Sequence, residues 1–249
     1  MRIYSEARGA SLPIEYVQLF GERNSGTSFL GKLAQANQRN PANFLGNKPT
    51  ETAPLGAELF GYKHWFINWE KLRDERRRQT LFLVIYRNPY TWIRAMMARP
   101  YALERSIGGR PVADLPGIAL VGHINGRDTR NELHPETGET INIFQLRKHK
   151  IGHFEKLKDQ VENIAYLNLE SLVRDPAGTM RSLQASFPSA FRVTLDLDVA
   201  APRALHRECI TPEPFADDDM NILDTAFDWE AEERIGYTRG SYALADAPA

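Results

Sequence analysis

Three short stretches of this sequence gather residue types able to handle a negatively charged group. The first is Gly21-Glu22-Arg23-Asn24-Ser25-Gly26-Thr27-Ser28. Small residues let successive backbone N–H groups curl around an oxyanion, and a helix that starts there adds its partial positive end. The glycine spacing is that of a P-loop, but Thr27-Ser28 stands where a P-loop NTPase has Lys-Ser/Thr. Without that lysine the loop suits one phosphate better than a triphosphate, with positive charge drawn from elsewhere. A plainer alternative is a glycine turn that caps a helix through Ser25 or Thr27.

The second stretch is Tyr62-Lys63-His64-Trp65-Phe66. An imidazole there can take a proton from an attacking hydroxyl, and a lysine can neutralise the group being transferred. A structural histidine in an aromatic strand is the alternative. The third is Tyr86-Arg87-Asn88-Pro89-Tyr90-Thr91-Trp92. The planar fork of Arg87 suits bidentate phosphate binding, unless it is used up on a carboxylate of the acidic C-terminal stretch.

These residues need elements to hold them. Tyr16 to Phe20 reads as a strand ending at Gly21, and Phe29, Leu30 and Leu33 mark one face of the helix that follows. Leu59 to Phe66 is aromatic and predicts a second strand. The continuously apolar Leu81 to Tyr86 predicts a third, covered on both faces and therefore central. Asn88-Pro89 ends it, and Trp92, Ala95, Met96 and Arg99 follow helical spacing up to Pro100. Ile143, Leu146, Phe154, Leu157, Val161 and Ile164 trace a long amphipathic helix leading into a fourth strand, Ala165 to Leu169. Asp175-Pro176 opens another helix. Ser106 to Glu139 has no clear periodicity and reads as an excursion or lid, and 246–249 as a frayed end. Strands alternating with helices predict a single α/β domain over 1–249, cored at about 16–180, with a central parallel sheet flanked by helices. In such sheets ligands sit outside the carboxyl ends of the strands, which brings the three stretches to one edge.

Composition removes other classes. Of 249 residues, 42% are hydrophobic and 25% charged, as in an ordinary globular protein. A lone cysteine, Cys209, excludes an internal disulfide and a multi-cysteine metal site, and reads as a small buried hydrophobe. No stretch approaches the ~20 apolar residues of a membrane span, so a cytoplasmic protein is expected. The net charge of −1 hides an asymmetry: Glu208 to Glu233 holds ten acidic and no basic residues, leaving 31 basic against 22 acidic elsewhere. Such a body attracts anions, although solvated helix faces also explain the excess. The basic runs Lys71 to Arg78 and Arg147 to Lys150 are short and lack aromatics, which argues against nucleic acid.

In their order and placement the three stretches resemble the nucleotide-binding core of the sulfotransferases that use 3′-phosphoadenosine-5′-phosphosulfate (PAPS). The family's K/R-S-G-T-T loop, which holds the 5′-phosphosulfate, is similar to Arg23-Asn24-Ser25-Gly26-Thr27-Ser28. Its Lys-His strand end, whose histidine is the usual general base, resembles Lys63-His64. Its R-[DN]-P element, whose arginine binds the 3′-phosphate, matches Arg87-Asn88-Pro89. The stretch from Tyr166 through Glu170 and Leu172 to Asp175-Pro176 resembles a fourth family element. The resemblance spans roughly 16–180 and implies a P-loop-like sulfotransferase fold. It also implies PAPS as co-substrate, fixed cations in place of Mg²⁺, and a small-molecule or glycan acceptor. His64, Lys63 and Arg23 would be catalytic, and Arg23, Asn24, Ser25, Gly26, Thr27, Ser28 and Arg87 would bind the donor. The segment from Met96 to about Arg147, with Trp65 and Trp92, would shape the acceptor site, where Tyr101, His123 and His134 either line a pocket or pack a lid.

The sequence departs from the family in four places. Asn24 replaces the loop's basic residue, Ala95 the 3′-phosphate serine, and Leu169 an aromatic that stacks on adenine; the C-terminal basic loop has only Arg234-Ile-Gly236-Tyr237 or Arg239-Gly240 as candidates. Two other readings stay open, a catalytically silent nucleotide-binding or scaffold protein and a P-loop kinase or NTPase. The kinase would need a Mg²⁺ carboxylate, and the strand ends offer Glu170.

Overall fold

The computed structural model describes residues 1–5, 12–45, 60–73, 75–124, 127–129, 132–198 and 212–242. Cys209, the first residues of the acidic stretch and the expected frayed end lie outside the described residues. The strands along the chain are β1 (Arg2–Ser5), β2 (Tyr16–Gly21), β3 (Phe44–Leu45), β4 (Thr80–Tyr86), β5 (Gly122–Ile124), β6 (Arg127–Thr129) and β7 (Asn163–Asn168). The helices are α1 (Thr27–Asn37), α2 (Pro89–Ala98), α3 (Glu104–Ile107), α4 (Ile143–Glu155), α5 (Leu169–Arg174), α6 (Pro176–Ser186), α7 (Asp217–Ala226) and α8 (Trp229–Arg234).

The central sheet runs β1-β7-β4-β2-β3, parallel except for β1 at its edge. β4 is central and all seven of its residues are buried, as a continuous apolar run requires. Its side chains alternate between two cores. Leu81, Leu83 and Ile85 pack with Phe29, Leu30 and Leu33 of α1 and with residues of α5 and α6. Phe82, Val84 and Tyr86 pack with Ile151 and Phe154 of α4 and Ala231 of α8. The fold is α/β, with a mostly parallel sheet flanked by helices. Among the described residues no helix is long and apolar enough to cross a membrane.

Three expectations are corrected. The described part of Leu59 to Phe66 is not a strand: Gly61 takes φ 114° and Trp65 N–H closes a turn on the Tyr62 carbonyl (2.9 Å). Its aromatics serve packing instead, with the Phe60 ring 5.2 Å from Phe82, and the two-residue β3 pairs with β2 in its place. β propensity yields here to tertiary burial. The long helix ends at Glu155, and a 3₁₀ turn, Lys156–Asp159, leads into β7. The stretch from Ser106 to Glu139 is no loose lid in its described parts. Ile107, Val112, Leu115 and Leu120 are buried with α2, the start of α4, and Leu223 and Phe227 at α7, forming a third core whose apolar residues simply lack a period.

Candidate functional site

The glycine loop joins β2 to α1. At Gly21 a Cβ would come within 2.8 Å of the Ile85 carbonyl, Ser25 Oγ and Thr27 Cγ2, so only glycine lets β4, loop and helix close together. Asn24 and Gly26 adopt positive φ (61° and 91°), and a Cβ on Gly26 would strike Leu169. α1 then begins at Thr27 with no acidic side chain in its first turn, leaving its positive end open to an anion.

Within the loop the side chains divide. Ser25 is fully buried, and both its N–H (3.3 Å) and hydroxyl (2.7 Å) donate to the Glu22 carbonyl. Contrary to the sequence expectation, it braces the loop rather than offering its hydroxyl to a ligand. The Asn24 amide donates to the carbonyls of Ala95 (3.2 Å) and Arg99 (3.0 Å), stapling the loop to the end of α2. Asn24 and Ala95 are thus in contact with each other. Leu169 is buried and fills the space against Gly26.

Lys63 and His64 lie in the irregular segment beside β2, reached without a strand. Gly21 N–H donates to the Lys63 carbonyl (2.9 Å), and His64 Nδ1–H donates to the Gly21 carbonyl (2.8 Å). Because a carbonyl can only accept, this bond fixes the tautomer and leaves Nε2 with the free lone pair. Burial, with Lys63, Arg23 and Lys150 nearby, pushes the His64 pKa down to about 3, so the ring is neutral. Burial also lowers the Lys63 ammonium from its usual range.

Arg87 ends β4 as expected. Its Nε donates to Thr91 Oγ1 (3.0 Å) and one terminal nitrogen to the Asn24 carbonyl (3.2 Å), tying the third stretch to the first. Asn88 caps α2, its side chain accepting from Tyr90 N–H (3.1 Å) and Thr91 N–H (3.4 Å). Arg147 pairs with the acidic C-terminal stretch, through Glu232 at 2.5 Å. Glu170 accepts from Asn88 N–H (2.9 Å) and the Tyr237 hydroxyl (2.8 Å), one bond on each oxygen. It is a buried brace, not a carboxylate facing the cavity.

These elements enclose a cavity of about 210 Å³ lined by Arg23, Lys63, Arg87 and Arg99, with His64, Gly26, Thr27 and Ser28 on its wall. Among the described residues four cations and no carboxylate line it, which favours a polyanion. Arg23 also meets Glu132 at 3.0 Å. Arg99, Tyr62 and Tyr101 complete the wall. Arg99 appeared in the sequence only as the last turn of a helix, and Tyr101 follows Pro100 with φ 53°, an unusual conformation for an aromatic residue that no local pattern announces. Past Trp65 opens an aromatic cleft of about 840 Å³, lined by Trp65, Phe66, Trp69, His134 and His153. Trp92, expected near an acceptor, is instead buried and donates through Nε1 to the Arg23 carbonyl (2.9 Å). Neither C-terminal candidate loop reaches the cavity: Tyr237 is buried on Glu170 and Arg239 lies against Trp229. Among the described residues no group of three or more metal-binding side chains is assembled.

No protein-family model matches the chain, and no curated protein matches it.

Proposed function

We propose that this chain is a PAPS-dependent sulfotransferase, moving a sulfuryl group to the hydroxyl or amine of a small molecule or glycan. The observation that carries the reading is a cavity at the helix α1 terminus, lined among the described residues by four cations and no carboxylate, that shares a wall with a neutral histidine whose Nε2 lone pair is free. The residues fit such a donor. Backbone amides at Gly26 to Ser28 and the Thr27 and Ser28 hydroxyls would hold the 5′-phosphate, and Arg87 the 3′-phosphate. The donor supplies an electrophilic sulfur joined to a phosphate leaving group.

As the acceptor oxygen or nitrogen attacks sulfur in line, its proton passes to His64 Nε2, and the sulfur–oxygen bond to the 5′-phosphate breaks with its electron pair leaving on the phosphate. Lys63 and Arg23 stabilise that developing charge. Burial first, and then repulsion by the surrounding cations, makes His64 a weak base before the donor binds. Bringing a polyanion among them offsets that repulsion and raises its proton affinity. The charge of the bound donor thus restores the part of the base strength that the cations remove. The acceptor would enter through the cleft beyond Trp65. A cytoplasmic location belongs to the same reading.

The test is incubation with PAPS and a panel of phenols, amines and saccharides, following sulfated product together with release of adenosine 3′,5′-bisphosphate. Product formed by the wild type and lost in His64→Ala supports the reading. Turnover unchanged in His64→Ala removes His64 from the mechanism. Bisphosphate binding with no transfer to any acceptor supports the second reading, a silent nucleotide-binding protein. That alternative draws on Asn24, whose amide is committed to Ala95 and Arg99 where the family carries a cation.

A further inference from the structure

Beneath the cavity, α4 carries two buried cations that touch no proposed substrate group. Arg147 is fully buried. It donates to the Arg87 carbonyl (2.8 Å), to Glu22 Oε2 in the glycine loop (2.7 Å), and to both oxygens of Glu232 (2.5 and 2.8 Å). Its guanidinium lies 4.6 Å from the centre of the Trp92 ring, the same indole whose Nε1 holds the Arg23 carbonyl. One turn further along, Lys150 donates to the His64 carbonyl (2.9 Å).

A buried ion cluster is a poor route to stability, because an apolar cluster of equal volume avoids the desolvation cost. Here two carboxylates meet the guanidinium, burial pushes the Glu22 pKa up to about 7, and Glu22 Oε1 is buried with no hydrogen-bond partner. An apolar filler would lack the directed donors that reach two carbonyls and a loop carboxylate. Every bond to the site from these two cations ends on the main chain or the loop, leaving the site's own side chains to face the cavity.

We propose that Arg147 and Lys150 are positioning residues: Arg147 fixes where Arg87 and Arg23 present their charges, and Lys150 fixes the His64 imidazole against its proton source. The part that concerns turnover rests on the sulfuryl-transfer reading; the parts that concern anion affinity and imidazole geometry do not. The two cations therefore act on different quantities, Arg147 on binding and Lys150 on the proton step.

The experiment compares the wild type with Lys150→Met, Arg147→Met, Arg147→Lys and the triple variant Arg147→Met/Glu22→Gln/Glu232→Gln, which leaves no uncompensated carboxylate if Arg147→Met alone fails to fold. Thermal melting checks folding, and calorimetry reads binding of adenosine 3′,5′-bisphosphate and of inorganic sulfate. NMR of labelled histidine reads His64. The triple variant is expected to fold and to bind the anions about tenfold or more weakly, and Arg147→Lys to recover little, since a point charge cannot replace the fork. Lys150→Met should keep bisphosphate affinity, lose roughly ten- to a hundredfold in kcat, and move the His64 imidazole resonances, with its pKa rising as a nearby cation is removed. Wild-type affinity in the folded triple variant, or wild-type kcat and unmoved His64 signals in Lys150→Met, would overturn the inference. If the wild type binds sulfate but not the bisphosphate, the transferase reading falls. The sulfate and imidazole measurements then still decide the positioning roles.

Discussion

The two faces of the central sheet are built from different chemistry. On one side, α1 and α6 bury no charged residue and α5 only Glu170, next to the strand end, and their core is mainly Leu, Ile, Phe and Met against β2, β4 and β7. On the other, α4 buries Arg147, Lys150 and Glu155 alongside Ile151 and Phe154, and α8 adds Glu232. Glu155 accepts from the Tyr86 hydroxyl (3.0 Å) and meets Arg2 at 2.8 Å, so even the mid-sheet charge is fully paired. Apolar packing needs only volume and pattern, and one face supplies it. The other face accepts desolvation costs near the strand ends that carry the loop, His64 and Arg87. Buried charge in this molecule marks where geometry, rather than bulk stability, is being specified.

That contrast can be broken from either side. The largest effect is expected at the site itself: His64→Ala should lower turnover by roughly 10²–10⁴ with nucleotide affinity nearly intact, as initial rates and calorimetry would report. A matched fall in affinity would show the ring to be structural. On the apolar face, Leu83→Ala in β4 should cost about 2–5 kcal/mol in denaturant unfolding, because Leu83 is fully buried, yet leave anion affinity unchanged. Loss of affinity there would erase the distinction between the faces.

A pH titration sharpens the comparison further. His64 is lowered from 6.5 to about 3, so as pH falls below about 6.5 the unfolded chain takes up a proton that the folded one refuses. Stability should therefore fall progressively from about pH 6.5 toward 3, and replacing His64 with Gln should remove part of that slope. The imidazole, followed by NMR, should stay neutral at pH 5 in the free protein, and bound bisphosphate should raise its pKa. A ring that titrates near 6.5 without ligand contradicts the burial argument. The smallest effect is expected far from the site: Asp175 caps α6 by accepting Gly178 N–H (2.7 Å), and Asp175→Ala should cost about 1 kcal/mol in thermal or denaturant unfolding with no change in ligand binding.

Much of this was legible in the residues themselves. Hydrophobic period and breakers located β2, α1, β4, α2, β7 and α6, because each buries a face whose pattern is local. The central place of β4 followed from an unbroken apolar run. The Lys63-His64 segment was misjudged as a strand since aromatic β propensity cannot reveal that Gly61 turns the chain and that Phe60 is needed on Phe82. The glycine loop was readable from spacing, yet the inward commitment of Ser25 and Asn24 depends on carbonyls at Glu22, Ala95 and Arg99 that only the fold brings near. Arg147 gave no signal beyond a short basic run, because its partners Glu22, Arg87 and Glu232 come from three distant segments.

The most direct test of the donor site is calorimetric titration with adenosine 3′,5′-bisphosphate, beside Mg·ATP and 5′-AMP, on the wild type and Arg87→Ala. The account predicts micromolar bisphosphate binding that weakens by roughly ten- to a hundredfold in the variant, the scale of lost charge-assisted hydrogen bonds, with little affinity for ATP. No bisphosphate binding by the wild type, or binding indifferent to Arg87, would contradict it.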